Sequence, residues 1–353
     1  SNSTIFTGNG NLYQANSGKV TLTGNSSAFA GNTYVKPAYT LELGTGGSLG
    51  AAGSTLNLDS STSTLLISNA SGTSTVGSTI SGLGKITKSG GGIGLLAANN
   101  SYTGQTSIQA GTLQIGNGGV SGSLGINAVA LTGGATLSYV LGTSASVSNN
   151  ISGTGHVTAA ISGTGNSLTV ANPVNLTNGK VSLTTDNGNL AVNASIATTS
   201  TATDAIFLNA GKNANAGDAT GGNVVINSGG SVTASSGRVI MMTGSITDST
   251  GLGISTGNNR YGSDESTTNY TTILGNTGRY AIYREAPTAN VTMGNDSKTY
   301  NAQSYAGGTS WTLISGSVHG DSDGAITSGI QYGGNSQGAV SAGTYAISGY
   351  YNL

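Results

Sequence analysis

Acidic side chains are the first candidates for chemistry in this sequence, because a glycosidase needs two carboxylates about 5 to 9.5 Å apart. The chain has 353 residues, of which 12 are Asp or Glu. Neither Arg238 nor Lys180 has an acidic cluster close in sequence, as a polysaccharide lyase would require. We therefore expect no catalytic site and no enzyme, with a polysaccharide lyase or hydrolase as the least favoured alternative. Over the first 255 residues the acids are single residues without a common spacing: Glu42, Asp59, Asp186, Asp204, Asp218 and Asp248.

The best metal-binding pattern is Asp321-Ser322-Asp323-Gly324, because alternating carboxylates before a glycine can wrap a Ca²⁺ ion. No matching glutamate follows it, and Asp-rich turns are far more common than Ca²⁺ loops. The two histidines, His156 and His319, lie far apart, and no His, Asp or Glu spacing resembles a zinc site. The sequence predicts no cofactor, and Ca²⁺ at Asp321 and Asp323 is the one weak candidate.

Aromatic side chains near the end of the sequence offer a different chemistry, the stacking of sugar rings. Ten of the 15 tyrosines lie after residue 260, as does the single tryptophan. Packing in the core of a small domain is the alternative interpretation of these aromatic residues. The candidate ligand contacts are Trp311, Tyr345, Tyr350 and Tyr351.

The low charge of the chain excludes several kinds of partner. Only 7% of the residues are charged, and the formal net charge is −1, whereas an average globular protein has about 25% charged residues. Such a chain lacks the positive field that holds nucleic acid. No stretch approaches the roughly 18 apolar residues that would span a membrane. We expect neither nucleic-acid binding nor membrane insertion, and the absence of cysteine suits export through a narrow pore.

Short alternating segments that end at Gly or Asn predict an all-β fold. Examples are "STLNLD" (54–59), "GTLQIG" (111–116) and "NSLTVAN" (166–172), in which Leu, Val or Ile alternates with polar residues. This period of two is typical of a strand that is buried on one side. Asparagines at the predicted turns, among them Asn100 and Asn149, could form hydrogen-bonded ladders, although turn propensity alone also explains them.

Self-similarity predicts that these strands stack as repeated coils. The segments 18–44 and 91–116 align, with Leu22 opposite Leu95 and Val35 opposite Ile108. Repeats of this length bury their apolar positions only against neighbouring repeats. We expect a right-handed parallel β-helix of about a dozen coils of roughly 20 residues. The predicted boundaries are 1–255 for this stalk, 256–286 for a connecting segment and 287–353 for a small β-sandwich or β-grasp-like domain.

Two segments carry a resemblance to known families. Residues 81–117 resemble the passenger-associated repeats of autotransporters and related secreted adhesins. From Lys298 onward the sequence resembles the MBG and YDG-type domains of filamentous-haemagglutinin-like adhesins, through Tyr300, "SGSVHGD" (315–321) and "SAGTYAISG" (341–349). The residues on the main positions of the passenger repeat are Lys88, Gly90, Gly92, Leu95, Asn100, Tyr102, Gly104, Thr106, Gly111, Thr112 and Leu113.

These resemblances imply a secreted bacterial adhesin at the cell surface, outside the cell. The expected function is that of a structural or adhesive segment of a surface fibre that associates with itself into filaments. Expected partners are neighbouring copies or flanking domains of a longer chain, extracellular polysaccharide or a host surface, and an outer-membrane transporter for export. The alternative is a carbohydrate-binding protein that uses the tyrosines and tryptophan of its C-terminal domain.

Overall fold

The alternation of apolar and polar residues produces short parallel strands that stack in three faces around one interior. The computed structural model describes residues 5–14, 18–288, 290–307, 311–315, 319 and 330–351. Within these residues all regular elements are strands, so the predicted all-β parallel solenoid is confirmed, with about 12 turns. In the described part of the chain, no helix is long and apolar enough to cross a membrane.

The first face is one parallel sheet of ten strands among the described residues. Each strand pairs with the strands of the coils before and after it, which satisfies its backbone groups. Its strands are β2 (Lys19–Leu22), β5 (Thr40–Leu43), β8 (Thr64–Ile67), β11 (Lys85–Lys88), β13 (Thr106–Ile108), β15 (Val129–Leu131), β18 (Ile151–Gly153), β21 (Val174–Leu176), β24 (Ser195–Thr198) and β27 (Ser231–Ala234).

The second face follows the first in every coil and is the longest sheet that the structure describes, with 12 strands. They are β3 (Asn25–Ser26), β6 (Ser48–Leu49), β9 (Thr73–Val76), β12 (Ile93–Leu96), β14 (Thr112–Ile115), β16 (Thr136–Leu141), β19 (His156–Ile161), β22 (Val181–Thr185), β25 (Ile206–Ala210), β28 (Arg238–Thr243), β29 (Asn259–Arg260) and β30 (Gly278–Tyr283).

The third face consists of two sheets with a gap between them. The first contains β1 (Leu12–Tyr13), β4 (Thr33–Val35), β7 (Thr55–Leu58) and β10 (Thr79–Gly82), and the second contains β17 (Ala145–Val147), β20 (Leu168–Val170), β23 (Leu190–Val192) and β26 (Val224–Ile226). Between β10 and β17, residues 97–105 and 117–128 complete this side of two coils without forming a strand in the described structure. We call this stretch the third-face gap.

The interior is filled by the apolar residues that the period of two places on one side of each strand. Leu56 and Leu58 on β7, and Leu168 and Val170 on β20, are fully buried, while the residues between them lie on the outer side. Burial of a side chain of this size contributes about 1.5 to 3 kcal/mol. The sequence prediction of a shared interior is therefore confirmed, coil over coil.

The predicted alignment of 18–44 with 91–116 is wrong, because it pairs residues that lie on different faces of the solenoid. Leu22 lies on the first face and is buried, whereas Leu95 lies on the second face and on its outer side. In β12 the inward positions are Gly94 and Leu96. All three faces use the same alternating pattern, and a shift of one residue exchanges the inner and outer sides of a strand. Apolar positions alone therefore could not distinguish one face from the next.

The parallel sheet of the second face continues into the segment 256–286, which the sequence analysis predicts to be a connection. Here β30 lies between β28 and β29 and pairs in parallel with both. Along the chain, β29 comes first and takes the terminal position of the sheet. The later strand β30 lies between β29 and β28. After this segment, β31 (Asn290–Met293) pairs antiparallel with β32 (Trp311–Ser315), and β33 (Ile330–Gly333) pairs antiparallel with β34 (Ser348–Tyr351). A β-sandwich or β-grasp arrangement of these strands stays a prediction.

Arginine side chains bind backbone carbonyl groups in this last part of the solenoid. The fully buried Arg284 donates from Nη1 to the carbonyl of Ala210 and from Nη2 to that of Gly222, each at 2.7 Å. Arg279 donates to the carbonyl of Leu252 at 3.0 Å. A guanidinium group carries five N–H donors, so one side chain can bind several backbone carbonyls.

Candidate functional site

The passenger-like repeat, residues 81–117, contains buried polar side chains, and Lys88 is its most unusual residue. Lys88 shares the inner side of β11 with Ile86, and its side chain is fully buried. Its Nζ donates to the carbonyl oxygens of Ser89 and Gly90, both at 2.8 Å, and of Ala110 at 3.3 Å. A buried ammonium group is tolerated only when it has such partners. Lys88 thus links the turn after β11 to the next coil.

Burial also changes the acid–base behaviour of Lys88. Loss of hydration disfavours the ammonium form, which lowers the pKa of Lys88 to about 8. Space for the side chain comes from Gly94 on the neighbouring second face. A Cβ atom at Gly94 would lie 3.1 Å from Cδ of Lys88 and 3.0 Å from Cγ2 of Ile67. A side chain at position 94 would therefore compete with the lysine for the same interior space.

Asn100 takes over the hydrogen bonds that a strand would make in the third-face gap. Its Oδ1 accepts a hydrogen bond from the amide of Ile80 in the preceding coil at 2.8 Å. Its Nδ2 donates to the carbonyls of Ala98 at 3.0 Å and of Ser123 in the following coil at 2.6 Å. One amide side chain thus joins three successive coils on the side where the strand is missing.

Asn149 has a similar role one coil further on. Its Nδ2 donates to the carbonyls of Gly125 and Asn127, each at 2.7 Å. Asn100 and Asn149 are both buried, and both bond to the backbone of neighbouring coils. They do not form the expected ladder of stacked asparagine side chains with each other. A contact of that kind joins two other residues, where Nδ2 of Asn227 donates to Oδ1 of Asn193 at 2.7 Å.

Tyr102 fills the interior of the same coil. The residue is fully buried, and its hydroxyl lies 2.6 Å from Oγ1 of Thr106. Burial raises the pKa of Tyr102 to about 12, so the hydroxyl stays protonated and neutral. Gly104 allows the coils to approach closely, because a Cβ there would overlap the carbonyl oxygen of Gly84. The repeat motif thus supplies an aromatic core residue, its hydrogen-bond partner and a glycine contact between coils.

These positions indicate a structural purpose for the repeat motif. Lys88, Asn100 and Tyr102 are polar or charged residues that face inward and bind backbone or side-chain groups of the solenoid. The sequence analysis identified them as consensus positions but did not predict that they are buried. For Lys88 the sequence could have predicted burial. Lys88 lies two residues after the inward residue Ile86, so it is on the same side of the strand.

The outer side of the third face carries an aromatic pair near the start of the chain. The rings of Tyr13 and Tyr34 stack with centroids 4.8 Å apart, and Tyr13 is half exposed. Nζ of Lys36 lies 5.6 Å from the ring centroid of Tyr34 and 2.7 Å from the carboxylate of Asp59. This surface group was missed by the sequence analysis, because Tyr13 and Tyr34 lie 21 residues apart and meet only through the pairing of β1 with β4.

Four carboxylates of the solenoid lie on separate coils and bind different lysines, whereas Asp218, Asp264 and Glu265 lie near one arginine, Arg284. Lysine ammonium groups lie within 3.3 Å of Glu42, Asp59, Asp186 and Asp204, each from a different lysine. Among the residues that the structure describes, no group of three or more His, Asp or Glu side chains could hold a metal ion. His156 accepts a hydrogen bond at Nδ1 from the amide of Lys180 at 3.0 Å.

The predicted ligand contacts are only partly described. Tyr345 is 37% exposed, and its hydroxyl donates to the carbonyl of Ser341 at 3.1 Å. It lines a cavity of about 800 Å³ together with Tyr300 and Tyr305, whereas Trp311 lies on β32 and is not among the residues lining this cavity. Tyr350 and Tyr351 lie on β34, and their side chains are outside the described part. The Ca²⁺ candidates Asp321 and Asp323 also lie outside the described residues.

Comparison with known proteins finds a family match for a short segment of this chain. Residues 86–115 match the family model of the passenger-associated-transport-repeat. The match lies inside the segment 81–117 for which the sequence analysis states this resemblance, so that part of the prediction is confirmed. No curated protein and no solved structure matches the chain. The resemblance to MBG and YDG-type domains stays a prediction.

Proposed function

We propose that this chain is a rod-shaped segment of an exported cell-surface protein, with a structural or adhesive role. The observation that carries the proposal is the passenger-associated-transport-repeat, which forms coils of the parallel β-solenoid. With about 12 turns and a spacing of about 4.8 Å between stacked strands, the rod is about 55 to 60 Å long. Such a rod holds whatever lies at its ends at a fixed distance from the cell.

The order of contacts along the chain supports export as an unfolded polypeptide. Each strand of the three faces pairs with strands of the adjacent coils, and no disulfide has to form because the sequence has no cysteine. In such repeat folds each unit depends mainly on its nearest neighbours. A chain that emerges from a transporter can therefore fold coil by coil outside the cell.

The surroundings of three acidic residues in the stalk support a role without catalysis. A glycosidase needs two carboxylates that face one substrate bond, whereas Glu42, Asp59 and Asp204 each lie beside a lysine on a separate coil. A polysaccharide lyase or hydrolase is therefore the less favoured interpretation. Turnover of any polysaccharide by the purified protein would contradict the proposal.

Carbohydrate binding through the C-terminal residues is the second candidate function. It is favoured by the cavity that Tyr300, Tyr305 and Tyr345 line together, because tyrosine rings stack on sugars and their hydroxyl groups bond to them. Substitution Tyr345→Ala should then weaken retention of the protein on an immobilised polysaccharide. Unchanged retention would exclude this cavity as the binding site.

Cells that produce the full-length protein provide the test of the main proposal. We expect antibodies against the purified chain to label intact cells, and added protease to remove the label without lysing the cells. Deletion of the chain from the full-length protein should reduce attachment of the cells to surfaces or to one another. Labelling only after permeabilisation would overturn the proposal.

Electron micrographs at several protein concentrations test self-association independently. Short rods of constant length at all concentrations indicate a spacer that does not assemble by itself. Rods that lengthen with concentration indicate filaments of neighbouring copies, as the sequence analysis expects.

A further inference from the structure

The two ends of the solenoid differ in how their last coils are closed. At the N-terminal end, β1, β2 and β3 are the terminal strands of their sheets, and no described strand pairs with their outer edges. Val20 on β2 faces the interior, because it lies opposite the buried Leu41 of the next coil. Its side chain is nevertheless 41% exposed, whereas Leu41 is 3% exposed. The interior of the rod is therefore open at this end, which we call the open end.

Other side chains make the open end apolar and nearly uncharged. Tyr13 on β1 stacks on Tyr34 with one side of its ring and is 52% exposed. Ile5, which precedes β1, is 57% exposed. Lys19 is the only charged residue in the first 35 positions of the sequence, and its ammonium group lies 2.8 Å from the carboxylate of Glu42. Strand edges in such surroundings readily pair with another chain.

The opposite end is closed by backbone and arginine groups of the chain itself. The amide of Ile226 on β26, the last strand of the third face, donates to the carbonyl of Thr250 at 2.9 Å. Arg279 donates to the carbonyl of Val232 on β27, the last strand of the first face. Leu252 is buried and belongs to the core at this end. The strand edges and the interior are thus covered without a partner.

The geometry of the open end favours a second copy of this chain as its partner. Strand edges around one interior are matched by a partner that offers strand edges around a similar cross-section, as another solenoid end does. The closed end of a copy has already used such backbone groups, so the partner must offer its own open end. Contact of two open ends covers Val20 in both copies, and Lys19 adds little repulsion because Glu42 neutralises it.

We propose that two copies of this chain associate head to head through their open ends. In such a two-fold dimer the facing edge strands run in opposite directions, as they do in an antiparallel sheet. Both ends of the dimer are then closed, so association stops at two copies and does not continue into a filament. The meaning of the dimer for surface attachment rests on the proposed function. The dimer itself is measured on the purified chain, so either proposal can fail without the other.

Sedimentation equilibrium of the purified chain at increasing concentrations is the direct test. We expect a change from monomer to dimer and no larger species, with rods of doubled length in electron micrographs. A monomer at every concentration would overturn the proposal. Filaments that grow with concentration would also overturn it, because they require the closed end to bind a copy.

Substitutions at the open end locate the contact. Val20→Glu places an unpaired carboxylate in the joint and should weaken dimerisation about 10-fold or more. Tyr13→Glu should weaken it as well, and it leaves the interior intact because Tyr13 lies on the outer side of β1. Circular dichroism checks that both variants remain folded. Unchanged dimerisation in both folded variants would contradict the proposal.

Ile273→Glu is the matched control for these substitutions. Ile273 is 85% exposed and lies between β29 and β30, the strands at the closed end. Its replacement also exchanges an exposed apolar side chain for a carboxylate, but it should leave dimerisation unchanged. An equal loss of dimerisation in this variant would show that the open end is not the specific contact.

Spin labels distinguish a head-to-head dimer from other dimers, because the chain has no cysteine of its own. A label on Thr7→Cys, which is exposed and precedes β1, should give a short distance between copies in pulsed electron paramagnetic resonance. A label on Thr268→Cys, which is exposed at the closed end, should give none, because two rod lengths separate the copies there. A short distance between copies at Thr268 alone would overturn the proposal.

Discussion

The coils around the third-face gap and the coils that follow them differ in what holds their third side together. In residues 145–234 every coil has a strand on the third face, and Leu168, Leu190 and Val224 lie in register along it. Around the gap the third side has no strand in the described structure, and the interior contains Lys88, Asn100 and Tyr102. The regular coils also bury polar side chains, such as Thr185, but the pairing of strands closes their third side.

The difference teaches how a solenoid can close a side that lacks a strand. Where the strand is missing, Asn100 binds the carbonyls of Ala98 and Ser123. Polar side chains such as Thr185 are also buried beside complete sheets. A bridge by a buried amide side chain between neighbouring coils is therefore what distinguishes the gap, rather than the burial of polar residues as such.

The largest effect that should test this comparison is the loss of Tyr102. Tyr102→Ala removes an aromatic side chain from the interior and leaves Thr106 without its partner, so we expect a loss of about 4 kcal/mol in the free energy of unfolding. Leu190→Ala in the regular coils should cost about 3 kcal/mol. Denaturant unfolding followed by circular dichroism measures both. A loss at Tyr102 well below that at Leu190 would show that the gap is loosely packed.

Asn100→Ala should have the next largest effect. It removes hydrogen bonds to three backbone groups, and we expect a loss of about 2 to 3 kcal/mol. Hydrogen exchange should also show faster exchange of the Ile80 amide, which bonds to Oδ1 of Asn100. The matched control is Asn150→Ala, because Asn150 is exposed and its loss should change stability by less than about 0.5 kcal/mol. Equal effects of the two substitutions would contradict a bridging role for Asn100.

The pH dependence that arises from Lys88 should be the smallest of the three effects. Its pKa is about 8 in the folded chain and about 10.4 when unfolded. Between these values the unfolded chain binds more protons, so stability should rise with pH. We expect a gain of about 2 kcal/mol from pH 7 to pH 10.

Substitution of the two lysines on β11 isolates this effect. Lys88→Met should abolish the rise in stability with pH, because it removes the buried amine. Lys85→Met should leave the rise unchanged, because Lys85 is on the outer side of the same strand and exposed. A rise that persists in Lys88→Met would assign the pH dependence to another group.

Much of the architecture could be predicted because it follows from local pattern. The alternation in "STLNLD" and "NSLTVAN" identified strands whose Leu and Val residues are buried. The passenger-like repeat was recognised from its glycine, asparagine and tyrosine spacing. The Tyr13–Tyr34 pair could not be predicted, because it depends on which strands become neighbours.

The sequence by itself determined that the chain forms short strands with one buried side, since a period of two and a near absence of charge leave no other ordered arrangement. Only the tertiary structure decided which of three similar faces each strand joins, where the third face is interrupted, and that Lys88 is buried. The physical reason is that burial of a polar group depends on acceptors from distant residues. Ala110, 22 residues after Lys88, is brought within hydrogen-bond distance only by the stacking of the next coil.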